Sequence, residues 1–434
     1  MRKPKFQSPT GMHDILPEEQ KYFQKIYDVV STIADFYNFG KIETPIMEET
    51  ELFSKGIGLS TDIVKKEMFS FKTKGGDFLA LRPEYTASVV RSYIEQGMQN
   101  RPQPVKLWYW GPCFRYERPQ EARYRQFWQF GFETLGEESP VVDAQIIQVF
   151  YNILKELKLK NLIVEVNSIG DYQCRPYYKK LLTNYFRTRE ISLCTNCKRR
   201  IRENVLRILD CKEEKCQPVK AEAPQILDHL CDECRLHFKE VLEFLDETEI
   251  PYSLNPYLVR GLDYYTKTVF EIFSGGSENE EEIKNALVGG GRYDRLIKLL
   301  RGKDTPGCGA AAGIERIIKL MKTQDVKSPK EAGRYLFLAQ LGILAKRKSL
   351  RLLEDFRKAK IKVSESFGRD SLKAQLNRAN KIGAKYALIL GQKEALEGTI
   401  IIRDMKSGRQ ETMKLEKIVQ EMKKRLKKKR SKND

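Results

Sequence analysis

The sequence lacks an apolar run long enough to cross a membrane, and its first residues, MRKPKFQSPTGMHD, lack the apolar stretch of a secretion signal. These two absences predict a cytoplasmic protein with no membrane-bound part. A GxxxxGK(S/T) phosphate loop is also missing. Histidine is scarce, because the chain has only His13, His229 and His237, which leaves few candidates for histidine-based acid–base catalysis.

Cysteine, by contrast, is concentrated in one segment. Six of the nine cysteines lie between Cys194 and Cys234, and in a reducing compartment we expect thiols or metal ligands rather than disulfides. Two CxxC pairs predict one structural Zn²⁺ site with the ligands Cys194, Cys197, Cys231 and Cys234. The competing ligands are Cys211, Cys216, His229 and His237. The alternative to zinc is a set of reduced thiols.

The overall composition is that of a globular protein with a nucleic-acid partner. A chain of 434 residues that is 41% hydrophobic can bury a sizeable core, and its length suggests two or three domains. Its 78 basic and 59 acidic side chains give a formal net charge of +19, which favours a polyanionic partner. The alternative is that the surplus lysines only solvate the surface.

Hydrophobic spacing predicts an α+β organisation. Residues 17–38 have the period of an amphipathic helix, residues 41–49 indicate a strand whose Pro45 favours an edge or boundary position, and residues 68–72 and 78–82 flank a turn and predict a hairpin. Residues 171–255 are helical and cysteine-rich, and we interpret them as an insertion. A linker at 323–333 precedes an α/β pattern at 331–422, and a basic tail follows at 423–434.

Two further strands carry candidate site residues. The segments 107–117 and 126–134 predict an antiparallel pair, and the two-residue period places Phe127, Gln129 and Glu133 on one face, with Gly131 leaving room between the last two. This face is suited to a ligand with a cationic amine, while a guanidinium on the opposing strand suits a phosphate. The alternative is a half-solvated sheet with cross-strand Arg–Glu pairs.

Small side chains near residue 310 predict a second part of the same site. The run Pro306–Ala312 leads into Gly313-Ile314-Glu315-Arg316 and then a helix. Small residues let a substrate lie directly on the backbone. Arg316 at the start of the helix would meet a polyphosphate with its own charge and the helix dipole together.

These segments resemble the three motifs of class II aminoacyl-tRNA synthetases, in the order found in that family. Gly40–Glu49 with Pro45 is similar to motif 1, Phe114-Arg115-Tyr116-Glu117 through Glu133 to motif 2, and Gly313–Arg316 to motif 3. The segments LRPEYT at 81–86 and LVRGLDYY at 258–265 resemble the histidine-specific members. The resemblance extends over nearly the whole chain through GGGRYD at 289–294 and the C-terminal region.

The resemblance implies a catalytic domain at 1–170 and 256–322, built on a mainly antiparallel sheet flanked by helices, and an α/β anticodon-binding domain at 331–422. It implies a homodimer that uses ATP with Mg²⁺ to charge tRNA(His) with L-histidine. Arg260 and Arg115 would be the catalytic residues. The implied ATP-binding residues are Arg115, Glu117, Arg123, Phe127 and Arg316. The implied histidine-binding residues are Glu84, Thr86, Gln129, Glu133, Tyr264 and Tyr265.

Some positions depart from the family pattern, which has glycine where this chain has Tyr85, Ala122 and Arg295, and often histidine in place of Trp128. Trp128 is predicted to point away from the pocket. One alternative is a non-catalytic regulatory subunit of histidine biosynthesis, although such proteins generally lack the terminal domain and have eroded active sites. The other alternative is a sibling synthetase for threonine, proline or glycine, but such an enzyme is not expected to carry the RGLDYY segment.

Overall fold

The computed structural model describes residues 6–59, 61–119, 122–275, 286–327, 336–368 and 371–427. The chain divides into two compact units, Met1–Ser328 and Pro329–Asp434. Most of the predicted linker and the last seven residues of the predicted tail lie outside the described residues, and residues 423–427 belong to a helix instead. Within the described ranges no helix is long and apolar enough to span a membrane.

The first unit is built on an eight-stranded sheet with the order β1-β5-β6-β11-β10-β9-β7-β8. The outermost pairs, β1 with β5 and β7 with β8, are parallel, and every pairing between them is antiparallel. This confirms the predicted mainly antiparallel sheet. Its strands are β1 (Gly40–Lys41), β5 (Val105–Phe114), β6 (Gln126–Leu135), β7 (Leu162–Ser168), β8 (Tyr252–Leu254), β9 (Thr266–Ser274), β10 (Val288–Arg292) and β11 (Gly307–Gly313).

The predicted hairpin is also present, as part of a small sheet with the order β2-β4-β3. Its strands are β2 (Met47–Glu49), β3 (Ser70–Lys72) and β4 (Phe78–Leu81). The single strand predicted at 41–49 is instead two short strands, β1 and β2, which belong to different sheets. Pro45 lies between them, where it removes a backbone donor and so favours a break in pairing.

Helices cover one face of the large sheet. Phe23 and Ile26 of α1 and Phe150 of α4 pack there against Phe130 and Phe132 of β6, all of them buried. This apolar core contributes about 25 cal/mol for each Å² removed from water. The helices of the unit are α1 (Pro17–Phe36), α2 (Thr50–Ile57), α3 (Thr86–Glu95), α4 (Val141–Glu156), α5 (Arg175–Arg187), α6 (Thr195–Glu203), α7 (Gln217–Ala221), α8 (Asp232–Glu247), α9 (Leu296–Leu299) and α10 (Ile314–Thr323).

The predicted insertion is helical and has a core of its own, which includes Leu182, Phe186 and Ile208. Its C-terminal part differs from the prediction, however. Helix α8 contributes Val241 and Leu245 to the main core, and β8 joins the large sheet beside β7. Helical periodicity identifies an apolar face but not the core in which that face is buried. The C-terminal end of the insertion was therefore predicted too far along the chain.

The second unit has a five-stranded sheet with the order β13-β12-β14-β15-β16. The first three strands are parallel and the last two are antiparallel additions, which confirms the predicted α/β pattern. The strands are β12 (Leu336–Gln340), β13 (Val363–Glu365), β14 (Tyr386–Leu390), β15 (Thr399–Asp404) and β16 (Gln410–Lys414). The helices are α11 (Ile343–Lys358), α12 (Leu372–Lys381), α13 (Gln392–Glu397) and α14 (Ile418–Lys427).

A buried ion pair joins β10 to α4 in the first unit. Arg292 and Asp143 are both fully buried, and the guanidinium donates to both carboxylate oxygens and to the carbonyls of Glu137 at 3.0 Å and Ser139 at 3.1 Å. Burial opposes ionisation of Asp143, but Arg292, and then His237 at 3.5 Å, outweigh it and lower the pKa of Asp143 to about 2. The pair therefore fixes the strand to the helix layer.

Replacing Arg292 with leucine should lower the free energy of unfolding of the first unit by ~3–5 kcal/mol, because Asp143 would remain buried without its partner. Urea unfolding followed by tryptophan fluorescence measures this unit selectively. All three tryptophans lie in it, at Trp108, Trp110 and Trp128.

The matched control is Lys239→Ala, which removes an exposed i,i+4 pair with Glu243 on α8. It should change the unfolding free energy by no more than about 0.5 kcal/mol. Equal effects of the two substitutions would contradict a structural role for the buried pair.

Candidate active site

An open cleft lies on the face of the large sheet opposite α1 and α4. Its floor is formed by β6, β10 and β11, where Gly313 pairs with Gln129 and Ala311 with Gly131. Most residues predicted for the site meet at this cleft. Those that line it are Glu84, Thr86, Arg115, Glu117, Arg123, Phe127, Gln129, Arg260, Tyr264, Tyr265 and Arg316.

Three arginine side chains gather at one end of the cleft, each in a contact that fixes its position. Arg115 donates to the Pro83 carbonyl at 2.9 Å, and its guanidinium lies 5.5 Å from the centre of the Phe127 ring. Arg316 donates to the Ala286 carbonyl at 2.8 Å.

The third arginine of this end, Arg123, forms an ion pair with Glu117. Burial lowers the pKa of Arg316, and the nearby charges of Arg123 and Arg115 lower it further. Such a concentration of positive charge favours an anionic ligand.

Arg260 enters the cleft from the loop that precedes β9. Its guanidinium forms an ion pair with Glu271 of β9, and although burial opposes it, this carboxylate raises the pKa of Arg260. The Nε atom is buried and has no hydrogen-bond partner among the described residues. Gly289 lies beneath the guanidinium, and a Cβ atom there would overlap it. A glycine at this point therefore lets the arginine lie against the sheet.

Two buried carboxylates lie near the other end of the cleft. Glu84 accepts backbone N–H groups from Thr86 at 2.7 Å and Ala87 at 2.9 Å, so it caps the start of α3. Burial raises its pKa. It lines the cleft directly, beside Thr86.

Glu133 differs from its predicted position, because it is fully buried and lies behind the wall of the cleft. It accepts hydrogen bonds from Thr86 at 2.7 Å, Tyr109 at 3.2 Å and Tyr293 at 2.5 Å. Burial raises its pKa to about 8 against the effect of these donors. The room predicted beside Gly131 is occupied by the Tyr109 ring, since β5 pairs these two residues.

Tyr264 and Tyr265 pack against each other with ring centres 4.6 Å apart, and Tyr293 lies 5.7 Å from Tyr264. Burial raises the pKa of Tyr265 to about 12 and that of Tyr264 well above its ordinary value. These phenols therefore stay neutral and act as hydrogen-bonding groups at the apolar wall of the cleft.

The departures from the family pattern are accommodated. Tyr85 is buried, stacks on Tyr109 at 4.2 Å and lies 3.8 Å from the Arg82 guanidinium. Ala122 has φ +57°, the left-handed conformation that glycine adopts more easily. Trp128 packs on Phe23 of α1, on the opposite face from Gln129, which confirms its predicted direction.

Four residues of the site had no assigned role in the sequence analysis. Tyr109 and Tyr293 bind Glu133 from distant segments, and Glu271 holds Arg260. Glu315 accepts the Trp128 N–H, and burial raises its pKa to about 7. Glu315 lies inside a recognised motif, and Tyr293 directly follows the glycine-rich strand β10, which was the available signal for it. No comparable local signal marks Tyr109 or Glu271.

The predicted zinc ligand set is wrong, because the two CxxC pairs lie in separate clusters. Cys194 and Cys197 join Cys211 and Cys216, whereas Cys231 and Cys234 join Asp171 and Cys174. Each CxxC pair begins a helix of its own, α6 or α8, and these helices pack in different cores. His229 and His237 belong to neither cluster; His237 lies beside Asp143 instead.

Comparison with known proteins gives consistent results. Residues 11–317 match the family described as Histidyl-tRNA synthetase, and residues 340–425 match the family described as Anticodon binding domain. The chain is 44% identical over 421 residues to a histidine–tRNA ligase of Dehalococcoides mccartyi, covering 97% of this chain and 100% of that protein. It is 43% identical over 418 residues to that of Pelotomaculum thermopropionicum, with 96% and 97% covered.

Among solved structures, apo histidyl-tRNA synthetase of S. aureus superposes with a TM-score of 0.79 at 36% identity, covering 96% of this chain and 99% of that one. The family matches and the full-length relatives agree, and they favour the ligase over a regulatory subunit or a sibling synthetase. The chain belongs to the histidyl-tRNA synthetase family.

Proposed function

We propose that this cleft performs the activation of histidine, the first of the two steps by which the family charges tRNA(His). The enzyme is a ligase that uses ATP with Mg²⁺ to form histidyl-adenylate and pyrophosphate. It then transfers histidine to the 3′-terminal ribose of the tRNA and releases AMP. The observation that supports this use of the cleft is its polarity. Positive charge lies at one end, and neutral tyrosines with two buried carboxylates lie at the other.

The positive end binds ATP in this proposal. Arg115 and Arg316 hold the α- and γ-phosphates, because their fixed guanidinium groups can each donate two charge-assisted hydrogen bonds. Arg123, positioned by Glu117, adds charge to the same end. Phe127 lines the cleft beside Arg115 and offers its ring to adenine.

Arg260 is the residue most directly involved in the chemistry. Attack of the histidine carboxylate on the α-phosphorus places negative charge on phosphate oxygens, and no proton need be transferred to or from a side chain. A guanidinium held by Glu271, with a buried Nε free of partners in the described part of the chain, is preorganised to stabilise that charge.

The Mg²⁺ that accompanies ATP supplies further charge stabilisation at the phosphates when bound. Carboxylate oxygens are the protein ligands it prefers. Glu271 and Glu315 line the cleft beside Arg260 and Arg316, so the donor set fits a magnesium–phosphate complex. We propose these two carboxylates as its protein ligands.

The other end of the cleft binds histidine. Glu84, Thr86 and Gln129 line the wall and offer acceptors to the α-amino group, with Glu133 behind them as a second carboxylate. Tyr264 and Tyr265 form the apolar wall of the imidazole pocket. A site with fixed polar partners rejects amino acids that leave those partners unpaired.

The C-terminal unit provides a second contact with the tRNA, since it matches an anticodon-binding domain. Lysine and arginine at the C-terminus add sequence-independent attraction to phosphates. Because charging tRNA serves translation, we also propose that the protein works in the cytoplasm.

We further propose that the protein is a homodimer through the motif 1 region. Strand β1 is the edge of the large sheet, and apolar side chains of the chain that follows it and of the small sheet are exposed. Ile46 is 44% exposed, Met47 49% and Phe71 43%. Met47 pairs with Leu81 of β4 and Phe71 pairs with Leu79 of the same strand. Because Leu79 and Leu81 are two residues apart, Met47 and Phe71 lie on the same face of the small sheet. An exposed apolar patch at a sheet edge is typical of a subunit interface.

Replacing Arg260 with alanine should reduce histidine-dependent ATP–pyrophosphate exchange at least ~100-fold in kcat/KM, because one fixed charge at the reacting phosphate is lost. Arg260→Lys keeps the charge but loses the paired N–H groups of the guanidinium, so its kcat/KM should lie between those of Arg260→Ala and the unsubstituted enzyme. The matched control is Arg295→Ala, an exposed arginine outside the cleft. Near-normal exchange by Arg260→Ala, or exchange with another amino acid at equal efficiency, would contradict the assignment.

Deleting residues 331–434 should spare exchange and abolish efficient charging of tRNA, because every residue assigned to ATP and histidine lies in the first unit. Two linked contacts bind RNA more tightly than either one alone. Removing only residues 428–434 should weaken tRNA binding and flatten its salt dependence without changing which tRNA is selected. Equal loss of both activities in the longer deletion, measured on protein of unchanged oligomeric state, would refute this division.

The double substitution Met47→Asp with Phe71→Asp should shift the protein towards a monomer, because charges would be buried in the proposed interface. Sedimentation equilibrium measures the mass directly. Leu396→Asp, at a position that is 71% exposed in the second unit, is the control. A dimer of unchanged affinity in the double variant would place the interface elsewhere.

A further inference from the structure

Four cysteine side chains converge in the helical insertion, away from the residues assigned to catalysis. The Sγ atoms of Cys194, Cys197, Cys211 and Cys216 all lie within 4.8 Å of one another, and those of Cys194 and Cys211 are 3.9 Å apart. Four thiolates around a tetrahedral zinc ion, each about 2.3 Å from the metal, would be separated by about 3.8 Å. The cluster therefore has nearly this spacing without any rearrangement of its backbone.

The backbone around the cluster is arranged as a metal site requires. The Cys197 N–H donates to Cys194 Sγ at 3.4 Å, and the Cys194 N–H donates to Cys216 Sγ at 3.2 Å. Such donors fix the direction of sulfur lone pairs and stabilise thiolates. Cys197, Cys211 and Cys216 are buried, so solvent does not compete for the site.

We propose that Cys194, Cys197, Cys211 and Cys216 bind one structural Zn²⁺ ion, which braces the loop that carries Arg260. The four-thiolate set is characteristic of closed structural sites with no open coordination position for substrate.

The bracing follows from the chain segment between the two cysteine pairs. Asn204 donates to the Asp263 carboxylate at 2.9 Å. The Arg207 guanidinium lies close to Gly261, since an added Cβ there would be 3.5 Å from its NH1 atom. Arg200 donates to the Arg207 carbonyl at 3.0 Å. A metal that ties both ends of this segment therefore limits the movement of residues 260–263.

The second cluster, formed by Asp171, Cys174, Cys231 and Cys234, has a carboxylate in place of a fourth thiol. The Asp171 carboxylate already accepts the backbone N–H groups of Gln173 at 2.9 Å and Cys174 at 3.4 Å. It also lies 3.5 Å from Cys174 Sγ. These hydrogen bonds already hold the carboxylate in the turn before α5, so we assign the ion to the four-thiolate cluster and none to this one. It supplies a matched control, because it also contains a CxxC pair in the same insertion.

Elemental analysis of the full-length protein, purified without an affinity tag under reducing conditions, tests the site. We expect about one zinc ion per chain. The double variant Cys211→Ser with Cys216→Ser should lose it, whereas Cys231→Ser with Cys234→Ser should retain it. Retention in the first variant, loss in the second alone, or no zinc in the unsubstituted protein would overturn the assignment.

Two further measurements on the unsubstituted protein do not depend on whether a variant folds. After removal of zinc by a chelator, Co²⁺ should bind and produce the intense visible bands of a tetrahedral thiolate site. Titration of the denatured protein should find nine free thiols, the full cysteine count. Absence of those bands, or a titration that finds two thiols fewer because a disulfide has formed, would overturn the proposal.

The bracing role rests on the proposed function of Arg260 and has its own measurement. Zinc-depleted enzyme should lose about tenfold or more in histidine-dependent exchange, because the catalytic arginine would be less precisely held, and added Zn²⁺ should restore it. An unchanged exchange rate would contradict the bracing role but would not affect the assignment of the metal site. Failure of the Arg260→Ala test would leave the zinc content unaffected, so the two proposals can fail separately.

Discussion

The mutual repulsion of arginine side chains within one cleft is the constraint on which the site's architecture depends. The charges of Arg115, Arg123 and Arg316 oppose one another, and the pKa of Arg316, which burial lowers most, is lowered further by the other two. Each guanidinium is therefore held by the protein, through the carbonyls of Pro83 and Ala286 or through a carboxylate. Folding already opposes the repulsion between these charges, so in the proposed function a phosphate group would meet donors that are already in place.

Small residues in the sheet make this arrangement sterically feasible. Arg260 lies against the backbone of Gly289, and Tyr109 fills the space that a side chain at Gly131 would occupy. Glu133 in turn lies against Gly309 on the neighbouring strand. Each of these three polar side chains thus occupies space beside a glycine of the sheet. Substitution of these glycines would displace a functional group rather than simply fill a void.

The sequence predicted those features that depend on local periodicity. The faces of β6 follow from the two-residue repeat, so the opposite directions of Trp128 and Gln129 were predicted correctly. The long first helix, the hairpin and the α/β pattern of the second unit follow from similarly local signals. Recognition of the family rested on motifs, and their order along the chain added to their specificity.

What the sequence did not predict depends on contacts between distant segments. Glu133 was expected at the surface of the pocket, but phenols that are 24 and 160 residues away along the chain enclose it. The predicted zinc ligand set was wrong for the same reason. Two CxxC pairs are compatible with one ion by spacing alone, and only the packing of α6 and α8 in different cores separates them. The end of the insertion was misplaced because α8 carries an apolar face that fits either core.

The two ends of the cleft also differ in how their charge responds to a ligand. At the phosphate end the arginines are charged whether or not a ligand is present. At the proposed amino-acid end, burial raises the pKa of Glu84, and burial raises that of Glu133 to about 8, so the neutral form of Glu133 is favoured near pH 7. A cationic α-amino group stabilises the ionised carboxylate and lowers its pKa. We infer that a bound amine favours the ionised form of Glu133, so the charge at this end depends on its ligand, whereas the charge of the arginines does not.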